Sequence, residues 1–222
     1  MGESAMTMGA THGATHGGGG YGGGHGALAE PSPYGIQSKK LAMWLFIIAD
    51  ASTFGAMLFA YGHLRVANPD WTRPFAFSPT IINGIVMTIV LLTSSLTMVG
   101  AVLAAQNGRT ADCIRWLGVT MVLGIVFAAL HLREWSHMIG DGWRPFRNPT
   151  GGPVLFGATF FGITGMHLLH VISGVVVIAA IALGVRRGRF NAGHVETTGL
   201  YWHFVDLVWM FVFPLIYLMN VR

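Results

Sequence analysis

Charge is scarce in this chain. Only 10% of its 222 residues are Asp, Glu, Lys or Arg, against roughly 25% in an ordinary soluble domain. The single cysteine, Cys113, excludes a disulfide framework and any cysteine-based zinc or iron–sulfur site. The 13 basic and 9 acidic residues lie scattered, so a pI near 9.6 comes without a patch able to follow a phosphate backbone. Nucleic acid is therefore excluded as a partner. Phosphate loops and nucleophile motifs are missing, and no internal repeat is visible. What the chain has in quantity is apolar surface, with 53% hydrophobic residues and a mean hydropathy of +0.57. These figures exclude a soluble enzyme and a wholly disordered chain, and they imply an integral membrane protein.

Glycine is distributed unevenly. Of 31 glycines, 11 fall within Met1–Gly26, beside His12, His16 and His25. Such a stretch cannot bury enough apolar surface to offset its backbone entropy, so residues 1–38 are expected to form a disordered Gly/His-rich tail. It lacks the basic start and apolar core of a signal peptide. Its histidines could at most make a weak, labile metal site.

From residue 39 to residue 222 long apolar runs alternate with short polar breaks. A membrane-spanning helix needs about 20 apolar residues, at ~1.5 Å each, to cross ~30 Å of hydrocarbon. Runs at Leu41–His63, Thr80–Ala105, Ile114–Ile139, Val154–Arg186 and Thr197–Asn220 meet that requirement. The fold class expected is all-α, an integral membrane bundle of five transmembrane helices behind the disordered tail. The fourth run is long enough that it should tilt or protrude. Turn signals fill the breaks, among them Asn68-Pro69, Asn107-Gly108, Pro145 with Pro149, and Gly188. With the N-terminus cytoplasmic, seven Lys and Arg lie inside and six outside. The tight cluster Arg186–Arg189 tips the balance toward that orientation.

Ionisable residues within spans are costly, and they mark function or interhelical contact. Asp50 stands about nine residues into the first helix, near ~14 Å depth. His131, Glu134 and His137 follow one another at three-residue spacing near the end of the third helix, with Arg133 among them. His167 and His170 on the fourth helix, and His203 and Asp206 on the fifth, are i, i+3 pairs expected to share a helix face. Asp50 and Asp206 fall at similar depth, with the histidines and Thr93, Ser94, Ser95 and Thr97 of the second helix in the same layer. A buried polar cluster joining these helices is expected. A haem between two histidines, or zinc on His131, Glu134 and His137, is the alternative use of the same groups. The latter stretch reads more simply as an interfacial belt with Trp135 and Trp143. Glu134 and Glu196 are the only glutamates beyond the tail, too few for a di-iron carboxylate site.

The fourth and fifth helices carry a specific resemblance. Thr164-Gly-Met-His-Leu-Leu-His-Val171, followed by Gly174, resembles the Thr-Gly-Phe-His-Gly-Leu-His-Val…Gly signature of haem–copper oxidase subunit III. Tyr201-Trp-His-Phe-Val-Asp-Leu-Val-Trp209 is similar to that family's Tyr-Trp-His-Phe-Val-Asp-Val-Val-Trp. His194-Val-Glu196, Glu134 followed by an aromatic, and Asn83 with Ser94-Ser95 also fit. The resemblance runs from about Lys40 to the C-terminus and matches the five-helix bacterial form. Asp50 replaces the glutamate of a Ser-Glu-x-x-x-Phe motif, Trp135 a tyrosine, and Leu168 a glycine.

The resemblance implies a non-catalytic subunit of a cytochrome c or quinol oxidase in a bacterial plasma membrane. Haem and copper would lie in partner subunits I and II. This chain would hold no redox centre, pack on subunit I, bind phospholipid, and sustain proton uptake and turnover stability. It points to Asp50, Glu134, His167, His170, His203 and Asp206 as buried polar, lipid- or proton-related residues. Thr164, Gly165, Glu196, Trp202 and Trp209 stand as motif residues. The alternatives are an accessory protein of a nitric oxide reductase, a small transporter or proton-conducting protein, and a cytochrome b-like electron carrier.

Overall fold

The computed structural model describes residues 38–151 and 154–221. Of the expected tail only Ser38 is among them, as the first residue of α1; the remainder, with His12, His16 and His25, lies outside them. Five long helices make up the described chain: α1 (Ser38–Ala67), α2 (Ile82–Gln106), α3 (Thr110–Gly140), α4 (Leu155–Arg186) and α5 (Ala192–Val212). All five are long and apolar enough to cross a membrane. They coincide with the expected spans within a few residues, except that α5 begins five residues before Thr197 and its regular helix ends eight residues before Asn220. Its early start has a local cause, because Asn191 and His194 form a reciprocal capping box there.

Two connections turn on glycine. Gly108 and Gly188 adopt positive φ, of 70° and 67°. Just after them the amides of Arg109 and Arg189 reach back to the carbonyls of Ala104 and Gly184, each at 2.9 Å. This closure of a helix end requires a left-handed residue, which glycine supplies without a Cβ penalty.

The far end of α5 is irregular. Pro214 lacks an N–H, so regular α-helix stops at Val212 and passes into a π-turn (Phe213–Tyr217) and a 3₁₀ turn (Leu218–Asn220). Side chains of α1 satisfy carbonyls released there. The Tyr61 hydroxyl donates to the Leu215 carbonyl at 2.9 Å, and Arg65 donates to that of Met219. Asn220 completes the lock: it donates to Tyr61 at 2.7 Å and accepts from the Trp71 indole at 2.9 Å.

Helix α5 is the hub, packed against α2, α4 and α1, while α3 joins α2 to α4. In its most apolar stretch 56% of α5 is buried, against 6% for α1. Only Phe54 and Tyr61 of α1 are fully enclosed. Large side chains such as Leu45, Ile48 and Phe59 face outward, as lipid or a partner helix would require.

Candidate functional site

The polar layer of the bundle resolves into pairs rather than one cluster. On α1, Asp50 meets His170 of α4, with Oδ2 and Nε2 3.1 Å apart and both side chains largely buried. The contact is off the line of a hydrogen bond. The opposite ring nitrogen, Nδ1, lies 2.8 Å from the carbonyl of Met166. A carbonyl only accepts, so Nδ1 carries a proton. Nε2 is then the ring nitrogen left to face the Asp50 carboxyl. Tyr201 and Ser173 close the site at 2.7 Å from each other, and Phe54 sets its edge against the His170 ring.

Across α5 a second pair forms with α2. The Ser95 hydroxyl lies 2.5 Å from Nδ1 of His203, and Asp206 lies close enough to Ser95 to interact with it. His203 and Asp206 thus share a face, as their spacing suggests. His167 and His170 diverge: their ~60° separation around the helix is enough to send them to different neighbours. His170 turns to α1, whereas His167 is fully buried, stacked on Trp209 at 5.1 Å and edge-on to Phe127. His131 of α3 is equally enclosed beside Trp209 and Phe127.

The motif tryptophans bind helices together. Trp202 donates to Ser94 and Trp209 to Thr88, each at 3.0 Å, so two indoles a double turn apart on α5 grip two hydroxyls of α2. Each hydroxyl passes its own proton to a carbonyl of α2. The Trp202 ring lies between Gly124 of α3 and Gly174 of α4. A Cβ at these positions would fall 2.7 Å and 2.9 Å from it. Gly174 of the signature is therefore a packing requirement. Thr164 and Gly165 make a comparable seat for Trp135, whose indole donates to Thr164 at 3.2 Å. Leu168 is accommodated, 5% exposed, in the place of the family's glycine.

Trp135 and Trp143, at and just beyond the end of α3, pack inward against α4. Trp135 turns to α4, and Trp143 is buried edge-on to Phe156. Glu134 is 6% exposed and accepts from Asn83 of α2 at 2.8 Å, while His137 is solvent- or lipid-exposed. Glu196 pairs with Lys40 at 2.6 Å, tying the start of α1 to the start of α5. Among the described residues no three His, Cys, Asp or Glu side chains gather as metal ligands would.

Some structural residues had weak sequence signals. Asn220 lies 149 residues from Trp71 and 159 from Tyr61 in sequence, and nothing local announces their meeting. Thr97 and Thr120, bonded at 2.8 Å between α2 and α3, are ordinary in composition. Asn83 was visible only as a loose family match, although an amide near a helix start inside an apolar run is itself a clue.

Comparison with known proteins places this geometry. The family model described as Cytochrome c oxidase subunit III matches residues 25–221. The Cytochrome bo(3) ubiquinol oxidase subunit 3 of Pseudomonas aeruginosa is 32% identical, the match covering 80% of this chain and 83% of that protein. The Cytochrome c oxidase subunit 3 of Alkalihalophilus pseudofirmus is 30% identical, with 83% and 88% covered. A protein of Staphylococcus aureus described as Probable quinol oxidase subunit 3 is 31% identical, with 82% and 89% covered.

Proposed function

Because this chain belongs to the cytochrome c oxidase subunit III family, we propose that it is a non-catalytic subunit of a proton-pumping haem–copper terminal oxidase. In this reading it packs on subunit I within a complex that includes subunit II, where haem and copper reside. It binds phospholipid, supports proton uptake and lengthens the working life of the enzyme. It is a multi-pass membrane protein, read as lying in a bacterial plasma membrane with its N-terminus cytoplasmic. Lys39, Lys40 and the arginines after α4 lie at the same end of the bundle, which supports that orientation.

The observation that carries the reading is how the ionisable and aromatic motif residues are used. Asp50, Glu134, His170 and His203 each engage a side chain on another helix. Trp202 and Trp209 clamp α5 to α2. Their common effect is to hold five spans in register, with Asp50 tying the thinly covered α1 to α4. Helix α1 leaves much apolar surface outward, which suits a subunit built to be covered by another.

The test is deletion of this chain from the oxidase. Initial oxygen reduction should stay largely intact while activity decays faster during turnover. Immediate loss of haem absorption, with subunits I and II present in normal amounts, would contradict the proposal. A Soret band retained by the isolated chain would favour an electron carrier instead.

A further inference from the structure

We infer that the groove between the end of α3 and the start of α2 is a binding site for a phospholipid with a primary-amine headgroup, of the phosphoethanolamine class. The inference deepens the lipid role proposed above and rests on it. The groove encloses about 520 Å³, within the ~300–1,000 Å³ of ordinary small-ligand sites. Its shape follows the polarity of a lipid. Arg133, Glu134, His137 and Asp141 line one wall, and Leu130 and Val86 form an apolar floor one turn deeper.

Depth supports this assignment. At ~1.5 Å per residue the 31 residues of α3 span roughly 46 Å, against ~30 Å of hydrocarbon and ~40–45 Å with the headgroups. Each end of α3 therefore rises ~8 Å beyond the hydrocarbon. Glu134, six residues before Gly140, lies ~9 Å from the helix end, at the boundary where an ester-linked headgroup sits. Arg133 lies one residue deeper than Glu134, and His137 and Asp141 follow it to the helix end at four-residue spacing, along one face.

Charge selects the headgroup. Glu134 is almost fully buried, and Asn83 satisfies only its Oε2. Its Oε1 is left for a donor in the groove, and a charged donor completes a buried carboxylate best. Asp141 offers a second carboxylate at the mouth. Among the described residues Arg133 has no carboxylate within salt-bridge distance, so its guanidinium is free to take a phosphate. A primary ammonium donates hydrogen bonds to carboxylates; a quaternary choline cannot. A glycerol headgroup would bring the phosphate charge without an ammonium to face Glu134 and Asp141.

The experiment is native mass spectrometry of the full chain, with whatever subunits accompany it in mild detergent. Before measurement it is exchanged into micelles holding equal amounts of phosphatidylethanolamine, phosphatidylcholine and phosphatidylglycerol. The wild type should retain phosphatidylethanolamine about tenfold over either competitor, and Glu134→Gln or Arg133→Ala should each lower that retention about tenfold. Val86→Trp should abolish it by filling the floor while leaving every charge in place. Val86 and Arg133 are exposed, so those two variants decide the matter even if Glu134→Gln fails to assemble. Equal retention of the three lipids, or wild-type retention in Arg133→Ala and Val86→Trp, would overturn the site. The accompanying subunits are weighed in the same spectra, so failure of the oxidase reading registers separately, as their absence.

Discussion

The Asp50–His170 pair joins α1 to α4 through two largely buried polar side chains. Because Nδ1 of His170 is committed to the Met166 carbonyl, Nε2 is the nitrogen left for the 3.1 Å contact with Asp50. Asp50→Asn supplies an amide donor to a neutral Nε2 and should leave stability close to the wild type. Asp50→Ala removes the partner and should cost about 1–2 kcal/mol, in line with interhelical polar contacts inside membranes. Thermal unfolding in detergent compares the two, and equal losses would show that the carboxyl serves only as volume. A double-mutant cycle of Asp50→Ala with His170→Ala should return a coupling of roughly 1 kcal/mol. The exposed ion pair Lys40–Glu196 should matter far less, with Glu196→Gln shifting stability by less than ~1 kcal/mol.

Between elements, the decisive contacts involve residues with little chemistry of their own. Trp202 is held by Gly124 on one side and Gly174 on the other, so α5 sits at the distance an indole ring allows. Gly174→Val should push α5 away and destabilise the bundle by about 1–3 kcal/mol, the cost of overpacking a tight core. Combining it with Trp202→Phe should recover part of that loss, because the single, shorter ring of phenylalanine no longer reaches as far as the indole edge that meets Gly174. Unfolding of the single and double variants in detergent gives the comparison. The helices themselves were readable from apolar run length, and Asn107-Gly108 and Gly188 marked their ends. Spacing also placed His203 and Asp206 on one face. It could not send His167 and His170 to different neighbours, since that depends on which helices flank α4. Nor could it show that Trp135 and Trp143 turn inward, as their length and amphipathic rings suit either an interface or a core. The Tyr61–Asn220 lock joins residues 159 apart, and only the folded bundle brings them together.

At the scale of the molecule, the thin coverage of α1 sets the expectation. The isolated chain should be less heat-resistant than the assembled complex, because partner subunits would cover α1 and its outward Leu45, Ile48 and Phe59. Residues 1–30 precede every span, and trimming them should leave assembly intact. The motif residues were legible as a family signature long before their structural use was. Sequence resemblance reports which residues recur, while packing reveals that Trp202, Trp209 and Gly174 are joints. The central claim is that this chain works as the third subunit of a haem–copper oxidase. Purification through it in mild detergent, followed by mass spectrometry of the co-purifying proteins, tests that claim most directly. The account predicts oxidase subunits I and II in amounts equal to the chain; a monodisperse chain recovered without them would contradict it.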